Sequence, residues 1–333
     1  MSMNINDNIP TVAVICGPTA TGKTRLSVEL ARSFDGEIVS ADSMQIYRRM
    51  DIGTAKATAG ERAAAVHHML DVADPAESWS VARYVEEATR CCDDIIARGR
   101  LPIVVGGTGL YIDSLISGLD FADNTSDNAL RDKLSAEYDS LGGDAMLARL
   151  AQFDPERAAK LHSGDKRRIV RAIEIYLLTG TTITEHDRIT AARPKRYDAA
   201  RIVLNYADRA DLYARIDARV DAMEQAGLVD EVRALLASGL SPDCTAMQAI
   251  GYKEIAAFLE GKTTEREAFD LIKQSSRRYA KRQLTWFGRW QGALRIVWDK
   301  VPDMEKARHA STEFLYSRVY HNAGHPDDGC DTL

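Results

Sequence analysis

The chain has 333 residues, 45% of them hydrophobic and 28% charged, and carries a formal net charge of −6. This length and composition predict a globular protein with one large or two modest domains. No apolar run reaches the ~20 residues of a membrane span, and the polar N-terminus with Asn4, Asn6, Asp7 and Asn8 does not resemble a signal peptide, so we expect a cytoplasmic protein without a membrane partner. The five cysteines lack C-x-x-C spacing, which argues against a disulfide framework or a zinc site.

The first predicted elements are a strand over Thr11–Cys16 and a helix over residues 25–31. The segment between them matches the phosphate-binding loop G-x-x-x-x-G-K-[ST] and consists of Gly17, Pro18, Thr19, Ala20, Thr21, Gly22, Lys23 and Thr24. In such a loop, backbone N–H groups and the helix N-terminus surround one anion, and the lysine adds a positive charge. The hydroxyl of Thr24 is a candidate Mg²⁺ ligand. The sequence therefore predicts that a di- or triphosphate binds here.

Two further strands are predicted over residues 37–41 and 101–105, with a helical pattern between them. The first of these strands ends at Asp42, and the second ends at a glycine-rich turn that contains Thr108. Strands that alternate with helices indicate a parallel sheet, whose ligand sites lie at the carboxyl ends of the strands. We therefore predict an α/β fold with a P-loop NTPase-like parallel sheet core, in which Lys23, Asp42 and Thr108 face one crevice.

The pattern changes after the third strand, because residues 121–188 contain helical stretches separated by turns and no strand-like run. A further strand over residues 201–205 returns to the sheet, and helices follow over residues 211–236 and 265–287. We predict three parts: a P-loop α/β core formed by residues 10–120 and 195–300, an inserted all-helical subdomain over residues 121–194, and an unassigned C-terminal tail over residues 301–333.

Positive charge is concentrated in two segments of this acidic chain. Residues 160–171 contain five basic residues and one acidic residue, and residues 273–289 contain six basic residues and no acidic one. An acidic protein with two basic segments fits a polyanion that is bound at one place. Two solvated helix faces would give the same pattern, and this alternative stays open.

Eight segments of the chain, in this order, resemble the motifs of the tRNA dimethylallyltransferases: residues 17–24, 40–47, 51–56, 67–71, 106–111, 165–174, 248–253 and 280–287. The resemblance spans about residues 10–290. The sequence lacks the cysteine–histidine array of the C-terminal zinc finger in eukaryotic members, so it resembles the bacterial type. The resemblance implies a Mg²⁺-dependent enzyme that transfers the dimethylallyl group of dimethylallyl diphosphate to N6 of the adenosine 3′-adjacent to a tRNA anticodon and releases diphosphate.

The resemblance also implies roles for individual residues. The phosphate loop would hold the diphosphate of the donor, and Arg219, with Arg215 as a second candidate, would add a clamp. Asp42 would take the proton of the adenine amino group as the C–N bond forms, and Thr108 would hydrogen-bond near the reacting amine. Two alternatives stay open: Asp42 as a Mg²⁺ ligand or strand-end cap, and Thr108 as a plain turn residue.

The tRNA-binding residues that the resemblance implies form three groups. The first group lies beside the catalytic carboxylate and comprises Asp42, Ser43, Met44, Gln45 and Thr108. The second would grip the anticodon stem-loop and comprises Arg131, Arg167, Arg168, Ile169, Val170 and Arg171. The third would contact the RNA loop and comprises Gln248, Ala249, Ile250, Gly251, Tyr252 and Lys253. Gln45 is suited to read an adenine edge. Tyr252 is either a stacking platform for a base or a half-buried residue.

The expected partners are tRNA and dimethylallyl diphosphate. No obligate protein partner is evident, which is compatible with a monomer. The phosphate loop and fold are equally typical of a small-molecule or nucleotide kinase. A prenyltransferase that acts on free adenine nucleotides and a non-catalytic RNA-binding NTPase are further alternatives. The helical insert and its arginines favour tRNA as the acceptor.

Overall fold

The computed structural model describes residues 9–118, 127–192 and 194–319. The chain divides into two compact units. Unit 1 comprises residues 1–116 and 196–333, and unit 2 comprises residues 117–195. The described residues of unit 1 contain the sheet, whereas those of unit 2 are helical. The boundaries predicted for the helical insert, 121 and 194, lie within four residues of the boundaries of unit 2.

Unit 1 is built on a parallel sheet with the strands β1 (Thr11–Cys16), β2 (Gly36–Ser40), β3 (His67–His68), β4 (Leu101–Gly106), β5 (Asp198–Tyr206) and β6 (Leu294–Trp298). Their order across the sheet is β3-β2-β4-β1-β5-β6. Ala13 of β1 is level with Ile103 of β4 and Ala200 of β5. Strands β1 and β4 are continuous apolar runs because both faces of the sheet are covered. The prediction of an α/β fold with a parallel sheet is confirmed.

The helices fall into three groups along the chain. Those that follow the first strands are α1 (Lys23–Ser33), α2 (Ala59–Ala64), α3 (Val81–Ala97) and α4 (Gly109–Ser117). Those of unit 2 are α5 (Asn128–Leu141), α6 (Gly143–Ala151), α7 (Pro155–Ala158), α8 (Lys166–Thr179) and α9 (Ile183–Ala192). The remaining helices are α10 (Arg209–Gln225), α11 (Leu228–Ala237), a 3₁₀ turn (Ala246–Gln248), α12 (Tyr252–Leu259), α13 (Glu265–Phe287) and α14 (Met304–Val319). Across the described ranges, none of the helices combines the length and apolar character that a membrane crossing requires.

The core of unit 1 lies between the sheet and its covering helices. Leu26 and Leu30 on the apolar face of α1 are fully buried in one cluster with Ile15, Ile103 and Leu204 from three neighbouring strands. On α3, buried residues recur at helical spacing, and the helix packs against β2 and β4. This packing fixes the carboxyl ends of β1, β2 and β4, where the predicted site residues lie.

The C-terminal segment contains a helix that the sequence did not predict. Within residues 301–333, α14 packs against α1, while residues 320–333 lie outside the described part of the chain. Strand β6 precedes this helix and was not predicted. Its Trp298 donates its indole N–H to the carbonyl oxygen of Thr21 over 3.0 Å, and the sulfur of Met304 lies beside Gly22. Strand β6 and helix α14 therefore both support the phosphate loop through these contacts.

Unit 2 has its own small core. Leu134, Met146, Leu150, Ile169 and Ile173 are buried together where α5, α6 and α8 meet. These residues recur at helical spacing in the sequence, so each helix presents one apolar stripe to the others. Unit 2 can therefore bury a core without contributing a strand to the sheet.

Candidate active site

The phosphate loop joins β1 to α1 and takes its shape from residues with positive φ. Gly17 has φ +141°, and a Cβ atom there would lie 2.3 Å from the carbonyl oxygen of Leu204, so only glycine fits. Gly22 has φ +86° and is the N-cap of α1, but it has no side chain to cap the helix. The N–H groups of the first helical turn are therefore left for a ligand, and the helix dipole favours an anion there.

Lys23, Arg219 and the carboxylate of Asp42 lie beside this loop. The ammonium group of Lys23 donates to the carbonyl oxygen of Pro18 over 2.7 Å. Burial, together with the nearby charge of Arg219, lowers the pKa of Lys23 to about 8, while Asp42 acts in the opposite direction. Burial also lowers the pKa of Arg219, again opposed by Asp42. A bound diphosphate would relieve the repulsion between the two cations.

The loops after β2 and β4 are joined by hydrogen bonds on both sides of Asp42. The Thr108 N–H donates to the carbonyl oxygen of Ala41 over 3.2 Å, and the Thr108 hydroxyl accepts the N–H of Ser43 over 3.2 Å. The carboxylate of Asp42 accepts the N–H of Met44 over 2.9 Å, which fixes its orientation. Thr108 therefore acts on the loop that carries Asp42, because it bonds to both sequence neighbours of the carboxylate.

These groups surround a cavity of about 530 Å³, a size that suits a small ligand. From the phosphate loop and α1 the cavity is lined by Thr19, Ala20, Gly22, Lys23 and Thr24. From the loop after β2 it is lined by Asp42, Ser43, Met44 and Gln45. On the opposite side it is lined by Arg219, Gln248, Ala249, Ile250, Lys253, Tyr279, Arg282 and Gln283. The structure thus brings most of the predicted donor residues and two of the three predicted tRNA groups to one cavity.

The surroundings of Gln45 and of the two candidate clamps bear on their predicted roles. The side-chain amide of Gln45 donates to the carbonyl oxygens of Thr54 and Ala55 over 3.1 and 3.3 Å, and its oxygen accepts the Ser40 hydroxyl over 3.2 Å. Both ends of the Gln45 amide are thus bonded within the protein, and readout of an adenine edge by Gln45 stays a prediction. Of the two candidate clamps, Arg219 lines the cavity, whereas Arg215 is exposed on α10.

Tyr252 is not a stacking platform, because its side chain is 0% exposed. Its hydroxyl donates to the Glu231 carboxylate over 2.6 Å. The same carboxylate accepts the backbone N–H groups of Asp51, Ile52 and Gly53 over 2.9, 2.8 and 3.2 Å. Tyr252 and Glu231 together hold a loop of which Gly53 lines the cavity. The prediction for Tyr252 is therefore replaced by a supporting role.

In unit 2, part of the predicted tRNA-binding segment is buried. Ile169 and Val170 belong to the predicted tRNA-binding segment but are 0% and 3% exposed, so their side chains pack into the core of unit 2 and leave RNA contact to their basic neighbours. Arg131 and Arg171 both bond to the buried carboxylate of Glu174, over 3.0 and 2.9 Å respectively. Their charges are therefore partly neutralised within the unit, because Glu174 is 0% exposed.

The remaining arginines of this segment, Arg167 and Arg168, are exposed on α8. Arg168 lies 3.7 Å from Asp165 at its closest ion-pairing distance. Exposed pairs at this spacing are weak and are screened by salt. These two side chains keep positive charge on the surface of unit 2.

The second basic segment lies on α13, and part of its charge is also neutralised. Lys273 and Arg277 pair with Asp221 and Asp217 of α10, each over 2.5 Å. The exposed basic residues that follow on the same helix are Arg278, Lys281 and Arg282. Arg282 also lies over the ring of Tyr279, with 5.4 Å between its guanidinium carbon and the ring centroid. The positive surface of α13 therefore lies in its C-terminal half, from which Arg282 lines the cavity.

Two residues of the site escaped individual prediction. Tyr279 lines the cavity near Thr108, and burial together with the charge of Asp42 raises the pKa of Tyr279 to about 12. Gln283 is 5% exposed on the buried face of α13, between Ala280 and Phe287. A signal was present, because a glutamine three residues after one apolar residue and four before another lies on the buried stripe of a helix.

The residues around Thr24 offer few ligands for Mg²⁺, so they fit an ion that is held mainly by the phosphate oxygens of a substrate. Within the described residues, its hydroxyl has no hydrogen-bond partner, and it lines the cavity at the first turn of α1. The carboxylates that line the same cavity are Asp42 and Glu61. Among described residues, no group of three or more His, Cys, Asp or Glu side chains is arranged to hold a metal. Such a donor set suits Mg²⁺ that keeps waters and takes phosphate oxygens as ligands.

The fold and cavity define an α/β protein of the phosphate-loop class, with the carboxylate of Asp42 in the lining of the cavity. Comparison with known proteins identifies its family. The family model described as IPP transferase matches residues 45–290, and a model described as isopentenyl transferase matches residues 10–71. This chain therefore belongs to the IPP transferase family.

Individual relatives agree with this assignment. The chain is 51% identical over 276 residues to a tRNA dimethylallyltransferase of an Exiguobacterium strain, covering 83% of this chain and 86% of the relative. It is 47% identical over 296 residues to tRNA dimethylallyltransferase 1 of Pelobacter propionicus, covering 89% and 94%.

Solved structures resemble it over nearly the whole chain. A tRNA isopentenylpyrophosphate transferase of Bacillus halodurans has a TM-score of 0.70 at 41% identity, covering 94% of this chain and 98% of that one. A eukaryotic dimethylallyltransferase, studied acting on tRNA, has a TM-score of 0.78 at 28% identity, covering 95% and 80%.

Proposed function

We propose that this chain transfers the dimethylallyl group of dimethylallyl diphosphate to N6 of the adenosine 3′-adjacent to the anticodon of tRNA and releases diphosphate. The observation that carries the proposal is that Lys23, Arg219 and Asp42 line one cavity at the mouth of an uncapped helix. Two cations and free N–H groups suit a diphosphate leaving group. A single oriented carboxylate beside them suits the removal of one proton.

The donor half of the reaction belongs to the phosphate loop. Lys23, Arg219 and the N–H groups at the start of α1 would bind the diphosphate and stabilise the negative charge that grows on it as it leaves. Thr24 would hold Mg²⁺, which, when bound, withdraws electron density from the diphosphate as a Lewis acid. Apolar side chains from Val220, Met223 and Ile272 line the same cavity and suit the hydrocarbon part of the donor.

The acceptor half belongs to Asp42. The N6 lone pair forms a bond to C1 of the dimethylallyl group while the C1–O bond breaks, and that electron pair leaves with the diphosphate. The N6 proton passes to the Asp42 carboxylate, which the Met44 N–H already orients over 2.9 Å. The adenine must leave its stack to reach a cavity, as bases do in other enzymes that act on them.

Exposed arginines and lysines would bind the tRNA backbone. In unit 2 these are Arg167 and Arg168, and in unit 1 they are Arg278, Lys281 and Arg282. Cations of this kind contribute affinity that falls as salt rises, and they contribute little sequence specificity. We propose a monomeric, cytoplasmic enzyme, since a tRNA acceptor requires access to the tRNA pool.

The proposal is tested by incubating the protein and Mg²⁺ with labelled dimethylallyl diphosphate and either unmodified tRNA or AMP. A parallel reaction contains ATP and tRNA instead of the donor. Label in tRNA alone supports the proposal. Label in AMP identifies a nucleotide prenyltransferase, and consumption of ATP with a phosphorylated acceptor identifies a kinase.

A further inference from the structure

Helix α13 has one polar side chain among its buried positions. The buried residues of this helix are Ala268, Phe269, Ile272, Ala280, Gln283 and Phe287. A buried amide is unfavourable unless its donor and its acceptor are both bonded. Gln283 meets that condition through two backbone partners that are far apart in the sequence. These two contacts show which segments of the chain Gln283 joins.

The amide of Gln283 connects the two loops that flank the cavity. Its oxygen accepts the backbone N–H of Thr19 in the phosphate loop over 3.2 Å. Its nitrogen donates to the carbonyl oxygen of Gly107, after β4, over 2.9 Å. A Cβ atom at Gly107 would lie 2.1 Å from that nitrogen, so a larger residue there would push the amide of Gln283 out of this position. Because the Thr19 N–H is already bonded to Gln283, any contact of Thr19 with a diphosphate must come from its other atoms.

Gln283 joins the two loops beyond the last residues that the strands pair, so the sheet does not fix the distance between the loops there. The pairing of β1 with β4 ends at Cys16 and Gly106, one residue before each loop begins. Gln283 bonds the phosphate loop to Gly107, and the next residue, Thr108, bonds to both neighbours of Asp42. A continuous set of hydrogen bonds therefore runs from the donor cradle to the loop of the proposed base.

We infer that Gln283 is a positioning residue that sets the distance between the bound diphosphate and Asp42. The inference rests on the proposed function for its effect on rate, whereas the tether itself rests on the contacts alone. Loss of the tether lets the two loops move relative to each other, while Lys23, Arg219 and the start of α1 still bind the donor. The rate of prenyl transfer should therefore fall while donor affinity is kept.

Three variants test this inference. Gln283→Leu removes both hydrogen bonds at similar volume. Gln283→Glu keeps an acceptor for Thr19 but turns an oxygen toward the carbonyl of Gly107. The control is Leu284→Ala, which weakens the packing of α13 against the core but keeps the side chain of Gln283 and its two hydrogen bonds. Thermal unfolding of each variant gives the stability against which the other effects are compared.

The first readout is the single-turnover rate with saturating donor and tRNA, set against the dissociation constant of dimethylallyl diphosphate without tRNA. For Gln283→Leu we expect the rate to fall roughly thirtyfold and the dissociation constant to change by less than about threefold, because small misplacements strongly affect rate. Gln283→Glu should approach the wild-type rate as pH falls, because a protonated carboxyl donates as the amide did. Equal losses of rate and donor affinity, or an equal rate loss in Leu284→Ala at matched stability, would overturn the inference.

The second readout is amide hydrogen exchange in residues 17–22 and 106–110, which does not depend on turnover. Faster exchange in both loops of Gln283→Leu, but not of Leu284→Ala, supports the tether. Unchanged exchange in both loops refutes it. If the wild type transfers no label to tRNA, the proposed function fails, and the exchange result still decides whether Gln283 ties the loops together.

Discussion

Donor binding should depend on pH through Lys23. In the free protein, burial and the neighbouring Arg219 lower the pKa of Lys23 to about 8. A bound diphosphate stabilises the protonated form, so the pKa of Lys23 rises on binding toward or beyond its ordinary value of 10.5. Affinity is therefore complete below pH 8 and is lost as pH rises toward the pKa of the complex.

The size of the effect follows from these two pKa values. Between pH 7.5 and 9.5, a pKa of about 8 in the free protein and about 10.5 in the complex predicts a roughly twentyfold loss of affinity. Dimethylallyl diphosphate is a suitable probe, because the last ionisation of a phosphate ester lies near pH 6 and is complete in this range.

The assay is calorimetric titration of the protein with dimethylallyl diphosphate and Mg²⁺, without tRNA, at each pH. The matched control is Lys23→Arg, whose guanidinium stays charged, so its affinity should be nearly independent of pH whatever its absolute value. A wild-type affinity that is constant from pH 7.5 to 9.5, or a control that falls in parallel with it, would refute the reasoning.

Three further predictions concern tRNA contacts and stability. Tyr252→Leu should lower the free energy of unfolding by about 2 kcal/mol, because Glu231 loses a buried hydrogen-bond donor. At temperatures below the melting temperature, its affinity for tRNA should stay within about twofold of the wild-type value. If Tyr252 stacked on a base, the variant would instead lose tRNA affinity and keep its stability. Arg168→Ala should reduce the slope of log affinity for tRNA against log salt by about one, measured by filter binding, and an unchanged slope would exclude a phosphate contact. Hydrogen bonds from Arg98 and other partners lower the pKa of Glu37, so the contribution of Glu37 to stability should be complete above about pH 4.5 and be lost in more acidic solution. Glu37→Gln should therefore have a lower free energy of unfolding at pH 7 and a weaker dependence of that energy on pH. Stability curves that run parallel for the variant and the wild type would contradict this.

The sequence predicted the strand, turn and helix of the phosphate loop well because the information for them is local. A phosphate loop needs a strand, a glycine-rich turn and a helix in succession, and here Thr11–Cys16, residues 17–22 and Lys23–Ser33 supply them in that order. The strand ends at Asp42 and Thr108 were equally visible, because buried parallel strands are apolar runs that stop at polar residues. The structure places these loops next to each other at one edge of the sheet.

The supporting contacts were not predictable, because they join residues far apart in the chain. Gln283 reaches Thr19 across 264 positions, and Glu231 reaches the loop at Ile52 across 179. Tyr252 illustrates the same limit, since the sequence alone does not distinguish an aromatic residue that stacks on a base from one that is buried in the protein. Strand β6 was missed because a short edge strand with exposed alternate residues gives a weak signal.

The most direct test of the central claim is Asp42→Asn, with the single-turnover rate of prenyl transfer to tRNA measured beside the dissociation constant of dimethylallyl diphosphate. If the carboxylate takes the N6 proton, the rate should fall by roughly a hundredfold or more, as for the loss of a general base. Donor affinity should hold or increase, because removing a negative charge beside Lys23 and Arg219 favours a bound anion. A variant that loses donor affinity and rate by the same factor would show instead that Asp42 holds the donor or its metal.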